Sequence, residues 1–219
     1  LCAATSSEVQ LRSVSFLSGS NQPLFNVKRG SLVLRGIRLH HSAPGCDIWN
    51  GNSALQVTGH KAKLCIKNCE ATSTSGRGMI VQNGAHALVE DSAIHKCSAT
   101  GIYVVGSGNR SKSALTVISS DICANGAGHG SHLGRGHSGL CLAEHAQAHI
   151  SHSNLCHNSA YGVVVVSDDK DSLVHTTKCN LERNGAERKR IAKEGTIEEV
   201  DSSTTGKIAS QFSILHFES

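Results

Sequence analysis

The sequence predicts an all-β fold: a single-stranded parallel β-helix of about seven coils, with insertions on one side and a closing segment at the C-terminus. Three observations carry this. The segments GMIVQNGAHALVEDSAIHKCSAT from Gly78, GLCLAEHAQAHISHSNLCHNSAY from Gly139 and GVVVVSDDKDSLVHTTKCNLERNGA from Gly162 repeat one pattern, and the segment from Gly101 follows it with a longer turn. The pattern is Gly, a short β-branched run, a polar turn, an alternating run, then Ile or Leu followed three residues later by Cys or Asn. Its period of about 23 residues, with two or three short strands in each, is that of a solenoid whose repeats bury their apolar faces only by stacking.

The third observation is a template that seven successive stretches satisfy. A first strand carries Val27, Val57, Val81, Val104, Leu142 and Val165. The second strand begins at Val9, Leu32, Leu64, Ala87, Leu115, Ala148 and Val174. Two residues on, and so on the same face of a strand, come Leu11, Leu34, Ile66, Val89, Val117, Ile150 and Thr176. Phe16, Leu39, Ala71, Ile94, Ile122, Leu155 and Leu181 form the next row, and Gly19, Ser42, Thr74, Cys97, Asn125, Asn158 and Asn184 the last. The three asparagines are expected to form an internal amide ladder at a tight turn. Gly78, Gly101, Gly139 and Gly162 are expected where a β-carbon would block the backbone turn.

Departures from the template locate the insertions. SAPGCDIWNGN (Ser42 to Asn52), GAGHGSHLGRGHS (Gly126 to Ser138) and the stretch after Asn184 all fall at the same turn of the coil. They should leave from one side of the solenoid, and insertions on one face of a repeat protein often mark its binding face. GSGNRSKS (Gly106 to Ser113) and SDDKDS (Ser167 to Ser172) fall at another turn. Residues 1–185 are read as the repeats, 186–206 as a charged loop with a helical turn or partial disorder, and 207–219 as a closing strand or cap over the open end. Leu1 is not a start methionine and the first repeat is in register by Val9, so the chain reads as part of a longer protein.

Composition narrows the function classes. A net charge of +4 is no footprint of a dedicated nucleic-acid binder, and no apolar run is long enough for a transmembrane helix. Nine cysteines, an odd number spread through the repeats, fit packed thiols in a reducing, intracellular and cytoplasmic setting better than a disulfide framework.

Candidate binding residues lie in three places. His129, His132 and His137, with Arg135 among them, crowd one insertion. The His129-x-x-His132 spacing can place two imidazoles on a metal, but no carboxylate or Cys follows at ligand spacing, so no metal or cofactor is assigned. A basic stripe runs through Arg12, Arg35 and Lys67, stacked about 4.8 Å apart, with Arg38 nearby. Stacked like charges repel unless an anion shares them, which makes the stripe a candidate surface for an acidic peptide or anionic glycan. Trp49, in the first insertion, is a candidate hot spot.

An enzyme reading would use acids such as Glu90, Asp121 or Glu144 with a histidine as base. Asp168, Asp169 and Asp171 form a turn that could hold calcium weakly, although turns favour Asp for conformational reasons alone. Aromatic residues are only 3% of the chain, a thin platform for stacking sugars.

The motifs GIYVVGSG, DICANGA, NLCHNSAYGVVVV and CNLERNGA resemble the right-handed parallel β-helix of pectin-lyase-like proteins. They resemble most the intracellular β-helix regions of F-box proteins and of Shc-binding, spindle-associated proteins, over residues 9 to 185. That resemblance implies the fold and a role in substrate recognition or scaffolding. The aspartate clusters and catalytic Arg, Lys or His of the enzymatic branch have no counterpart placed here. The sequence is therefore read as a non-catalytic recognition or scaffold module for a protein, peptide or anionic glycan. A polysaccharide lyase or epimerase and an end-to-end structural spacer are the rival readings.

Overall fold

A computed structural model describes residues 9–12, 15–18, 22–43, 52–107, 111–127, 137–166, 171–185, 189–191 and 196–199. Among them every regular element is a β-strand, and every pairing is parallel. The chain winds repeatedly through three sheets. The first sheet stacks β1 (Val9–Arg12), β4 (Gly30–Arg35), β7 (Ala62–Lys67), β10 (His86–Glu90), β13 (Ser113–Ile118), β16 (Ala146–Ser151), β18 (Leu173–Thr177) and β20 (Thr196–Glu199). The second stacks β2 (Ser15–Ser18), β5 (Arg38–His41), β8 (Glu70–Ser73), β11 (Ala93–His95) and β14 (Asp121–Cys123). The third stacks β3 (Phe25–Val27), β6 (Ser53–Thr58), β9 (Arg77–Gln82), β12 (Ile102–Val105), β15 (Leu140–Leu142), β17 (Val163–Val165) and β19 (Lys189–Ile191).

The register follows the sequence template residue by residue. Val9, Leu32, Leu64, Ala87, Leu115, Ala148 and Val174 are successive partners in the first sheet. Val27, Val57, Val81, Val104, Leu142 and Val165 are partners in the third. The side chains of these residues from Val27 and Leu32 onward, with Leu39, Ala71, Ile94 and Ile122 from the second sheet, form one continuous apolar core. Fully burying each Leu, Ile or Val is worth about 1.5–3 kcal/mol, and only the neighbouring rungs supply the cover.

Each corner of the coil has its own polar solution. Between the first and second sheets, the Ser92 hydroxyl accepts from Cys69 N–H, Ser120 from Ser92 N–H and Ser153 from Ser120 N–H, at 3.0–3.1 Å. Each hydroxyl in turn donates to the carbonyl two residues before it. The residue preceding that ladder is left-handed in each described coil: Gly36 has φ 63°, and Asn68, Asp91, Ser119, His152 and Lys178 have φ between 47° and 52°. Only Gly36 among them is glycine, so this recurrent turn leaves no repeating glycine mark in the sequence.

Between the second and third sheets stands the expected amide ladder. Asn125 Nδ2 donates to Asn158 Oδ1, and Asn158 Nδ2 to Asn184 Oδ1, each at 3.1 Å. The repeat glycines sit against it. A β-carbon on Gly101 would lie 2.7 Å from Asn125 Nδ2, and one on Gly139 would lie 2.6 Å from Asn158 Nδ2. Close packing, not a positive φ, is therefore what demands glycine at these two positions.

The charged segment expected as a loop with a helical turn contains β19 and β20 instead. They pair with β17 and β18, and the Thr196 N–H donates to Ser172 O at 2.9 Å. An open sheet edge presents a row of unpaired backbone groups, and satisfying them outweighs a weak helical preference. The closing segment 207–219 lies outside the described residues.

Candidate recognition face

The outer face of the second sheet is the most functionally dressed surface among the described residues. Because strand side chains alternate, burying Leu39, Ala71, Ile94 and Ile122 turns Arg38, His40, Glu70, Thr72, Ala93, His95, Asp121 and Cys123 outward. The bridges from Asp121 to Asn154 and from Asn154 to Asn180 carry the pattern into later coils. One column thus reads Arg38, Glu70, Ala93, Asp121, Asn154, Asn180. The other contains His40, Thr72, His95, Cys123 and Cys156.

These columns are cross-linked by polar contacts. Glu70 receives Arg38 Nε at 3.5 Å through one oxygen and meets His95 Nε2 at 2.9 Å through the other. His40 Nδ1 and Thr72 Oγ1 are 2.8 Å apart, and Asn154 Nδ2 donates to Asp121 Oδ1 at 2.7 Å. Two grooves share Arg38 and Glu70. One, of about 570 Å³, follows the corner with the first sheet past Asn68, Asp91 and Ser119. The other, of about 360 Å³, crosses His40, Thr72 and His95 to Thr74 and Lys96. Its far end reaches the corner from which the insertions leave, between Ala43 and Asn52 and between Ala127 and His137. There the Arg77 N–H donates to Asn52 O at 2.8 Å, and the Ala160 N–H to His137 O at 3.1 Å, closing the insertion stems onto neighbouring coils.

The sequence candidates divide as follows. Arg12, Arg35, Lys67 and Glu90 are stacked in register, as the stripe requires. Glu90 Oε1 lies 2.7 Å from Lys67 Nζ, so the stripe ends in an internal ion pair, and the carboxylate holds the Lys67 ammonium above its ordinary pKa. Arg38, 80% exposed at its side chain, joins the second-sheet face through Glu70. Arg12 lies in β1, and its side chain falls outside the described residues. Trp49, His129, His132 and Arg135 also lie outside them.

His137 is buried at the insertion stem, and burial followed by the charge of Arg77 pushes its pKa down. Arg77, itself lowered by burial, stands 5.0 Å over the Tyr103 ring on the third sheet. Among the described residues no cluster of three or more His, Cys, Asp or Glu could hold a metal ion. The candidate acids occupy different places: Glu90 ends β10, Asp121 opens β14, and Glu144 sits in the turn between β15 and β16.

Sequence reasoning missed Glu70, His95, His40, Thr72 and the stacked Cys123 and Cys156. A signal was present, since each flanks the apolar position of the fourth template row by one residue. Two other cysteines behave as packed hydrophobes, Cys65 on the outer side of the first sheet and Cys97 in the core: burial pushes the thiol of Cys65 up to about 11 and that of Cys97 up to about 12.

The three parallel sheets and their one continuous core define a β-solenoid. The chain belongs to the right-handed β-helix family, whose model, described as the right handed beta helix region, matches residues 2–184. Comparison with curated proteins and with solved structures returns no match. Among the described residues no helix is long and apolar enough to cross a membrane.

Proposed function

We propose that the chain is a non-catalytic recognition module of a larger intracellular protein. It docks a protein or peptide partner along the outer face of the second sheet and the adjoining corner at Ala43, Asn52, Ala127 and His137, from which the insertions leave. One observation carries the reading: two adjoining grooves run over a face of cross-paired side chains of both signs, Arg38, Glu70, His95, Lys96 and Asp121. A mixed-charge face complements a partner with alternating polarity, and charge placement of this kind sets specificity and register. Among the described residues no Phe, Tyr or Trp lines either groove, which leaves little of the usual stacking platform for sugars. The pairing of Lys67 with Glu90 also reduces what the basic stripe offers a polyanion.

Selection of displayed peptides on the chain, followed by fluorescence anisotropy with the selected sequences, tests this. Arg38→Glu should weaken binding at least about tenfold, equivalent to about 1.4 kcal/mol. Undiminished affinity in that variant would remove the second-sheet face as the docking surface. Turnover of a polysaccharide would replace the reading with the enzymatic one.

A further inference from the structure

We propose that Cys123 and Cys156 form a redox-active dithiol, a site where a low-molecular-weight disulfide oxidant closes a covalent bridge between adjacent coils. The inference is independent of the docking reading, because it rests on the sulfurs themselves. The bridge between Asp121 and Asn154 sets the register, and two residues further along each segment the Cys123 and Cys156 sulfurs are 2.9 Å apart. The Cys156 N–H also donates to Cys123 Sγ at 3.3 Å, which holds that sulfur over the next coil. Neighbouring strands lie about 4.7–4.9 Å apart, inside the window of Cα separations that a disulfide spans without backbone movement.

The other described cysteines lack this arrangement. Cys69 and Cys179 meet backbone carbonyls, as Cys123 Sγ also meets Asn154 O at 3.4 Å, but neither has a second sulfur beside it, and Cys97 is enclosed in the core. Cys123, by contrast, is half-buried on the outer face, where a small oxidant can reach it.

The chemistry balances as two thiol–disulfide exchanges. The Cys123 thiolate attacks one sulfur of the oxidant, whose S–S bond breaks and releases a thiolate that takes up a proton. Cys156, losing its own proton, then displaces the second small thiol from Cys123. The products are one intramolecular disulfide and two small thiols. Burial, followed by the adjacent Cys156 sulfur, pushes the Cys123 thiol up to about 12, so exchange should accelerate as pH rises. The closed loop contains residues 124–155, and with them the histidine-rich insertion. Oxidation therefore ties together the two coils between which that insertion departs.

The test treats the chain with oxidised glutathione at mildly alkaline pH, alkylates the remaining thiols, and maps the digest by mass spectrometry. The expected result is a linked peptide pair joining Cys123 to Cys156, reversed by reductant and absent from Cys123→Ser and Cys156→Ser. It should persist in Cys179→Ser. Oxidation should also raise the Tm of the wild-type chain and leave that of Cys123→Ser unmoved. Stable glutathione adducts without a link, a link through another cysteine, or an unchanged thiol count would each overturn the proposal. Because the mapping is made on the wild-type chain, a variant that fails to fold does not remove the test.

Discussion

The inner and outer sides of the same turn and strand stacks make the most instructive contrast in this molecule. Both are columns of polar side chains repeated once per coil. Inside, Asn125, Asn158 and Asn184 bond one another and also capture backbone: Asn158 Oδ1 accepts from Asn125 N–H, and Asn158 Nδ2 donates to Ile122 O. Outside, Arg38, Glu70 and His95 bond only one another, in contact with water. Identical spacing therefore gives opposite consequences. The buried column is bound to the fold, because a stranded backbone group there has no solvent to turn to. The exposed column can exchange its partners for water or for another molecule, which is what a docking face needs.

The largest effect should come from the inner column. Asn158→Ala strands the Asn125 N–H and the Ile122 carbonyl, each worth about 1–3 kcal/mol when buried and unpaired. Urea denaturation should show a lower midpoint with an unchanged slope. An unaltered midpoint would erase the distinction between the columns.

A second and smaller effect separates buried from exposed histidines. His149 and His175 are register partners in the first sheet, both buried, and burial lowers both pKa values. Around the ordinary value of 6.5 the unfolded chain takes up protons that the folded chain refuses. The unfolded state then holds more protons, so stability is fully present above that value and declines as pH falls through it toward the lowered folded values. Tm measured from about pH 7.5 down to about pH 5 should fall, and His149→Gln should flatten the slope. A flat wild-type profile would mean these imidazoles are solvated.

The smallest effect is expected outside. Arg38→Ala removes an exposed ion pair and should change unfolding free energy by no more than about 1 kcal/mol. A greater loss, read by the same denaturation, would make the outer face part of the scaffold and weaken its assignment as a docking surface.

How much of this was legible beforehand follows the same division. The inward rows could be aligned without a structure, because core packing allows few residue types at each position: Leu32, Leu64, Ala87, Leu115 and Ala148 declare themselves. The Asn ladder was legible for the same reason. The outer face was not. Glu70, His95 and Cys156 obey no restriction of type, and their partners lie 25 to 33 residues away across turns of unequal length. The left-handed residues Asn68, Asp91 and Ser119 were equally silent, since their conformation is imposed by the ladder that follows them.

The sequence by itself determined the solenoid, its register, its apolar core and the turn from which the insertions leave, because a repeating pattern that buries itself by stacking has one solution. Only the tertiary structure decided that Lys67 finds Glu90, that Arg38 and His95 converge on Glu70, and that Cys123 meets Cys156. It also decided that β19 and β20 join the sheets, where helical composition had pointed to a loop. These are contacts between residues distant in the chain. Their geometry is set by the stacking of coils, and local preference carries no record of it.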